Sequence, residues 1–250
     1  MFRKIGFICI VFCFIYISFS EGKFPNDPKP CPYGNVGCIK KLLNFLLAEK
    51  TDGYEPLNIV SLNPLKISEI RVKQGKESPV FIDLSFKNSD LYGFKGAKAT
   101  QIKGFGKDIS QPHEMVISSK SMTLLSDYTI SGKVLILPIT GSGKSNLTMD
   151  NVKLIMQLNA EPLVKNGKTY MHVKKLKLDV ETTRLHFDFK NLYNGDKNLG
   201  DSTNLFLNEN WKDIFGEVRK TMTSAFASVF KKVINDILKN FPYDELMSEA

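Results

Sequence analysis

The last third of the chain changes from a strand-like pattern to a long amphipathic helix. From Trp211 onward, apolar residues recur at steps of three and four and form one stripe over about 30 residues, or about 45 Å at 1.5 Å per residue. The stripe consists of Ile214, Phe215, Val218, Met222, Phe226, Val229, Phe230, Val233, Ile234, Ile237, Leu238 and Phe241. The steps do not keep a strict heptad, which disfavours a coiled coil, and Pro242 ends the helix. A soluble domain rarely carries so long a helix unless something wraps around it, so we expect a curved sheet before it.

The preceding residues alternate apolar and polar side chains with period two. Three segments show this most clearly, and their apolar members are Val80, Ile82, Leu84 and Phe86, then Val152, Leu154, Met156 and Leu158, and then Leu185, Phe187 and Phe189. Such alternation is typical of strands with one buried face in an antiparallel sheet. Residues 122–139 are also apolar or β-prone almost throughout, and Gly132 within them suggests a bulge or bend. The fold predicted is α+β, with a long, strongly curved antiparallel sheet around one long C-terminal helix.

A short helix is predicted before the sheet. Apolar residues at helical spacing run from Ile39 to Leu47, and a turn signal at Thr51-Asp52-Gly53 ends them. No linker or change of composition separates Ile67 from Phe241, so residues 21–250 are predicted to form one domain.

Residues 1–20 have the features of a secretory signal peptide. A basic start at Arg3 and Lys4 precedes an apolar run of about 15 residues, which is short for a membrane span. Ser18 and Ser20 place small residues before a cut ahead of Glu21. An uncleaved anchor is the alternative. The prediction is an extracellular protein.

Cleavage would remove Cys9 and Cys13 and leave Cys31 and Cys38. A bridge between these two is expected in an oxidising compartment, with a free reactive thiol as the alternative. A ring this small stabilises by only about 2.5 kcal/mol in the loop-entropy model, so the bridge would act as a local clamp.

The charge is moderately basic. Loss of Arg3 and Lys4 lowers the formal net charge of +8 by two, to +6. The lysines are spread along predicted strands and loops, and no arginine cluster occurs. A solvated surface is therefore favoured over nucleic-acid binding.

Motifs for catalysis or metal binding are weak. Residues 141–145 (Gly-Ser-Gly-Lys-Ser) resemble a phosphate-binding loop, but Pro138 stands where that motif needs glycine, and a strand pattern follows instead of a helix. A flexible hairpin is the prediction there. The three histidines have no neighbours at ligand spacing, and no nucleophile, base and orienting group assemble. We expect no enzyme activity, metal or cofactor.

Asn146-Leu147-Thr148 is an N-glycosylation acceptor in a predicted loop.

Several short motifs together carry a family resemblance over nearly the whole of residues 21–250. They are the cysteine pair with Cys38-Ile39-Lys40-Lys41-Leu42, Leu62-Asn63-Pro64-Leu65-Lys66-Ile67, Leu137-Pro138-Ile139 before Gly141-Ser142-Gly143, Asn191-Leu192-Tyr193-Asn194-Gly195, Leu207-Asn208-Glu209-Asn210-Trp211 opening the last helix, and Phe241-Pro242-Tyr243-Asp244-Glu245-Leu246 closing it. In their order and spacing the chain resembles the insect takeout and juvenile hormone-binding protein family, secreted carriers with the tubular lipid-binding fold. A second cysteine pair is missing, which favours the takeout-like branch, and the spacing from Cys31 to Cys38 is shorter than usual. The resemblance implies a tunnel for a hydrophobic ligand.

The function predicted is a secreted, monomeric carrier, in haemolymph or another extracellular fluid, that binds an elongated hydrophobic molecule such as a terpenoid like juvenile hormone or a fatty acid. The alternative is a secreted signalling or interaction protein with a packed core, acting through a partner, receptor or membrane surface. The candidate tunnel-lining residues are Leu42, Phe45, Leu46, Val80, Ile82, Ile136, Met156, Phe187, Trp211, Phe215 and Met222.

Overall fold

The computed structural model describes residues 29–249. The predicted signal peptide at residues 1–20, together with Cys9 and Cys13, lies outside the described residues. In the described part, the strands are β1 (Cys31–Pro32), β2 (Leu65–Lys73), β3 (Val80–Tyr92), β4 (Lys98–Lys103), β5 (His113–Val134), β6 (Leu137–Lys165), β7 (Lys168–Glu181), β8 (Arg184–Phe189) and β9 (Met247–Ser248). The helices are α1 (Val36–Glu49), α2 (Lys197–Glu209), α3 (Trp211–Leu238) and α4 (Tyr243–Leu246), with short 3₁₀ turns at Glu55–Leu57 and Tyr193–Gly195.

The main sheet is antiparallel and has seven strands. Its continuous path is β2-β3-β5-β6-β7, while β4 pairs with the first half of β5 and β8 pairs with the first half of β6. The predicted curved antiparallel sheet is confirmed.

Two strands are long enough to require bending. β5 and β6 have 22 and 29 residues, which would span about 75 and 99 Å if straight. Between Asp150, where β6 leaves β8, and Lys153, where it meets β7, Asn151 adopts a left-handed φ of 49°. Register shifts also interrupt the pairing of β3 with β5, of β4 with β5 and of β6 with β7. These irregularities let long strands curl around a helix, since bulges bend a strand and increase its twist.

The structure corrects two predictions about the middle of the chain. The turn between β5 and β6 lies at residues 135–136, so residues 122–139 are the two arms of a hairpin. Residues 141–145 lie inside β6 and do not form a hairpin or phosphate-binding loop. Glycine is needed there for close packing, because a Cβ on Gly143 would lie 2.5 Å from the carbonyl oxygen of Lys190.

The predicted period-two strands are confirmed. The apolar members of the three segments are buried, except for the half-buried Phe187. This alternation turns one face of the sheet toward α3, and the other toward solvent.

α3 is the predicted long helix, 28 residues or about 42 Å long. Its most extensive packing is against β7, followed by β2 and β8. Arg219 joins it to Asp179 of β7 through two hydrogen bonds of 2.8 and 2.7 Å. Near its other end, Asn235 accepts a hydrogen bond from the N–H of Val173 and donates one to its carbonyl oxygen, at 2.8 and 3.0 Å.

Helix asparagines recur as partners of strand backbones. Asn208 of α2 accepts from the N–H of Phe187 and donates to its carbonyl oxygen, at 2.9 and 2.7 Å. The same pair of bonds joins Asn204 to Phe189, Asn235 to Val173 and Asn44 to Ala99. Strand groups left without a neighbouring strand are thereby satisfied, and each helix is held in place on the sheet.

α2 corrects the prediction that Leu207 to Trp211 opens the last helix. Leu207 belongs to α2, which ends at Glu209, and α3 begins at Trp211. The alternation of β8 and the stripe of α3 were visible in the sequence. α2 was not recognised between them because it is less hydrophobic than α3.

The predicted bridge between Cys31 and Cys38 is confirmed, with a Cα–Cα distance of 5.7 Å. It connects β1 to α1, whose first turn is capped by a hydrogen bond from the Cys38 N–H to Asn35 Oδ1. β1 pairs in parallel with β9, which ties this clamp to the C-terminal end.

Among residues 29–249, no helix is long and apolar enough to cross a membrane.

Candidate functional site

A cavity lies between α3 and the inner face of the curved sheet. The space open to the centre of a water-sized sphere measures about 100 Å³, and all unfilled space, including the part open to solvent, about 1050 Å³. Its walls are formed by Val72, Val80, Ile82, Leu84, Phe86, Leu91, Met122, Leu124, Ile130, Val134, Ile139, Leu147, Met149, Leu154, Leu178, Val180, Leu185, Phe187, Phe189, Leu207, Ile214, Val218, Met222, Phe226 and Phe230.

The smaller volume gives a lower estimate of the room that the cavity offers a ligand. A sphere of about 100 Å³ has a radius of about 2.9 Å, and adding the water radius of about 1.4 Å gives about 330 Å³ of room. A cavity of the same volume but any other shape has more surface, so adding the water radius gives it more room than this. At about 30 Å³ per non-hydrogen atom, as in liquid water, the cavity accommodates about 11 such atoms.

The chemistry of the wall selects apolar ligands. All of the lining side chains among the described residues are aliphatic, aromatic or thioether groups. Water in such a cavity lacks hydrogen-bond partners, whereas a hydrocarbon loses none. Met122, Met149 and Met222 add flexible, polarisable side chains that adapt to different ligand shapes.

Four of the candidate residues lie on this wall. Val80 and Ile82 come from β3, Phe187 from β8 and Met222 from α3. The ring of Phe187 stacks near that of Phe189 with centroids 6.3 Å apart. Contact of these residues with a ligand stays a prediction.

Three candidates are buried away from the cavity. Met156 lies in the second half of β6, opposite Met115 and Leu178. Trp211 and Phe215 lie in the first turns of α3, within 6.0 Å of guanidinium or ammonium groups that cover their rings. These side chains belong to the packed core and not to the cavity wall. Phe215 lies between Ile214 and Val218, which do line the cavity, so its position around the helix and not along it keeps it off the wall.

The four remaining candidates are also placed elsewhere. α1 packs against β4, and Leu42 and Leu46 contact a small separate cluster around Phe241. Phe45 is 38% exposed. Ile136 is 80% exposed because it lies in the turn of the β5–β6 hairpin.

Sequence reasoning missed other wall residues. Leu147 and Met149 alternate with polar neighbours in β6, but the acceptor motif around Leu147 was predicted as a loop and neither residue was assigned to the cavity. Leu207 lies on α2, which was not recognised as a separate helix. The two-residue alternation around Leu147 was the available signal.

Polar groups elsewhere in the described chain are satisfied locally. The buried His113 accepts a hydrogen bond from the N–H of Phe105 through Nδ1 and donates from Nε2 to the carbonyl of Ile109, both at 2.9 Å. The hydroxyl of Tyr128 donates to the carbonyl of Lys190 at 2.8 Å, and burial raises the pKa of Tyr128 to about 12. Within residues 29–249, no three His, Cys, Asp or Glu side chains group as a metal site.

Asn146, the candidate glycosylation site, is exposed on β6 and accepts a hydrogen bond from Thr148 Oγ1 at 3.1 Å. The predicted loop is wrong, because both residues belong to a strand. They face outward while Leu147 between them faces the cavity.

Comparisons with known proteins agree with this architecture. Residues 7–248 match the family model of haemolymph juvenile hormone binding protein (JHBP). The chain is 26% identical over 250 residues to circadian clock-controlled protein daywake of Drosophila melanogaster, covering 98% of this chain and 95% of that protein. The Drosophila yakuba protein of the same name is 26% identical over 234 residues, covering 92% and 90%. Takeout 1 of Epiphyas postvittana superposes with a TM-score of 0.73 at 25% identity, covering 88% of this chain and 99% of that chain.

Proposed function

Because the chain belongs to the haemolymph juvenile hormone binding protein family, we propose that it is a secreted carrier of an elongated hydrophobic molecule. The ligand is a terpenoid, a fatty acid or a similar lipid, held without a covalent bond in the cavity between α3 and the sheet. Val80, Ile82, Phe187 and Met222 contact it, together with the other wall residues. The observation that carries the proposal is the apolar cavity itself, lined by six strands of the sheet and two helices.

The cavity size suits a ligand of this kind. Burying about 15 carbons at about 0.8 kcal/mol each stabilises the complex by about 12 kcal/mol before association and ordering costs. We therefore expect dissociation constants from micromolar to tens of nanomolar. A ligand much smaller than about 11 non-hydrogen atoms would leave part of the wall without contacts.

The carrier works by binding and not by catalysis. Its cavity wall offers no nucleophile or proton-transfer group among the described residues, and the family is one of binding proteins. We propose an extracellular location, consistent with the predicted signal peptide and with the Cys31–Cys38 bridge. Asn146 is the proposed glycan acceptor, since its side chain is exposed on β6.

The test is native mass spectrometry of the protein secreted from insect cells, followed by organic extraction of whatever co-purifies. A stoichiometric apolar molecule, or uptake of uncharged terpenoids and fatty-acid esters by stripped protein, supports the carrier. An empty protein that also takes up none of them contradicts it and favours the alternative of an interaction protein with a packed core.

A further inference from the structure

A basic groove runs along the outside of the contact between β7 and α3. Its space, measured by the centre of a water-sized sphere, is about 420 Å³. The groove is lined by Lys174, Lys175, Leu176, Lys177, Leu178, Lys220, Thr223, Ser224, Ala227, Ser228 and Lys231.

Most of the positive charge in the groove has no counter-charge. Lys174 pairs with Glu161 at 3.0 Å. Within residues 29–249, the ammonium groups of Lys175, Lys177, Lys220 and Lys231 have no carboxylate within 4.0 Å. Four like charges around one groove repel one another, and an anion bound among them would remove that repulsion.

Side-chain hydrogen bonds fasten the contact between β7 and α3 at its two ends, and small side chains of α3 line the groove between them. Arg219 with Asp179 and Asn235 with Val173 make the end contacts. Between them α3 presents the small residues Thr223, Ser224, Ala227 and Ser228 to the groove. No hydrogen bond among the described residues joins residues 174–178 to residues 220–231.

The groove and the cavity share one lining residue. Leu178 lines both, with its neighbour Lys177 exposed in the groove. The Arg219–Asp179 contact lies one residue from Lys220 and two residues from Lys177, so it brings both lysines to the same end of the groove. Unpaired ammonium groups therefore lie immediately outside an apolar cavity that offers no partner to a polar head group.

We propose that this groove binds the anionic head group of a carboxylate-bearing amphiphile, such as a fatty acid, whose tail passes beside Leu178 into the cavity. The inference rests on the proposed carrier function and narrows its ligand class. The lysines supply charge-assisted hydrogen bonds to the carboxylate. A concave groove suits a single head group better than a flat bilayer surface, which would contact its rim.

The experiment compares laurate with methyl laurate, which has the same acyl chain without the charge. Both are titrated into the stripped full chain, into K177Q/K220Q, and into the matched control K87Q/K120Q, which removes two exposed lysines of the outer sheet surface. At low salt, laurate is expected to bind K177Q/K220Q about tenfold more weakly than the parent, because two charge-assisted contacts are lost. Methyl laurate should bind all three proteins equally, and laurate should bind the control as it binds the parent.

Three results overturn the inference. Equal laurate affinity of K177Q/K220Q and the parent shows that the groove holds no head group. Equal weakening of laurate and methyl laurate shows a structural effect of the substitutions. The third result is that Lys177 and Lys220 are needed for binding to phosphatidylserine-containing vesicles while the protein does not discriminate between laurate and its ester. The groove is then a membrane contact. If the parent binds neither compound, the proposed carrier function itself fails. That failure differs from failure of the groove proposal alone, because methyl laurate carries no charge and so tests the cavity without the lysines.

Discussion

Replacing Met222 by aspartate tests the cavity most directly. Met222 is half-buried on the cavity side of α3. An aspartate there would face apolar side chains once a ligand displaced the water around it. The bound state would then hold its carboxyl group protonated and without a hydrogen-bond partner.

The cost follows from the pKa and from desolvation. Protonating an aspartate of ordinary pKa, about 3.9, costs about 4.2 kcal/mol at pH 7. Leaving the neutral carboxyl group unpaired costs about 1–3 kcal/mol more. The sum of about 5–7 kcal/mol weakens binding by about 4,000-fold to 100,000-fold, which abolishes measurable binding of a micromolar ligand.

The same reasoning predicts a pH dependence. At pH 5 the protonation cost falls to about 1.5 kcal/mol, so Met222→Asp should regain about 100-fold in affinity for an uncharged ligand between pH 7 and pH 5. The affinity rises as pH falls because the bound state holds the proton more tightly than the free state. Met222→Asn carries no such charge and should show no pH dependence.

The assay is displacement of an uncharged fluorescent probe by methyl laurate, with thermal unfolding as the check on folding. Met222→Leu conserves volume and should stay within about threefold of the parent. Gly216→Asp adds the same charge to an exposed position of α3 with nothing near its Cβ, and should bind normally. A folded Met222→Asp variant that binds within tenfold of the parent, or loses affinity equally at both pH values, would refute the assignment of Met222 to the ligand site.

Three further predictions concern stability. Replacing Cys31 and Cys38 by alanine should lower the free energy of unfolding by about 2.5 kcal/mol, while ligand affinity stays unchanged because α1 does not line the cavity; a change in affinity would contradict this. Gly132→Ala should destabilise by about 1–3 kcal/mol or more in urea unfolding, since φ is 142° and its Cβ would lie 2.2 Å from the backbone of β3, whereas Gly75→Ala has open space and should be neutral. Burial raises the pKa of Tyr128 from 10.0 to about 12. Its contribution to the free energy of unfolding is therefore fully present below pH 10 and is lost toward pH 12, because the unfolded chain ionises first. Tyr128→Phe should flatten this alkaline loss of stability in unfolding titrations.

Much of the architecture was predictable because it depends on local periodicity. Side chains that alternate along a strand must face opposite sides, so the buried set of β3 could be identified without a structure. Steps of three and four placed the apolar stripe of α3, although the helix ends at Leu238, before the predicted end at Phe241 and Pro242. The cysteine bridge was predictable for another reason, since Cys31 and Cys38 are the pair left after cleavage of the predicted signal peptide.

The β5–β6 hairpin was not predictable in the same way. Leu135 adopts a φ of 56° in its turn, although leucine is not a residue that signals a turn. Gly141 and Gly143 do signal a turn. They lie in a strand instead, and residues 190–192 pass close to their Cα atoms. That close approach joins segments about 50 residues apart, which no local pattern records.

The candidate site divides along the same line. Val80, Ile82, Phe187 and Met222 were assigned to the cavity from their faces, and they lie on its wall. Other candidates were assigned from apolarity or from a face, but they lie in the packed core, in a separate cluster or at exposed positions. Periodicity determines which way a side chain points, but not how far along the helix the empty space extends.

By itself, therefore, the sequence determined the types of the main elements, the buried faces of the strands and the long helix, and the apolar character of whatever those faces enclose. Only the tertiary structure decided where the sheet bends, which asparagines fasten helices to strands, and that unpaired lysines lie beside Leu178 outside the cavity. The physical reason is range. Backbone sterics and side-chain direction act between near neighbours in the chain, whereas a cavity and a groove arise from how elements far apart in sequence fail to fill the space between them.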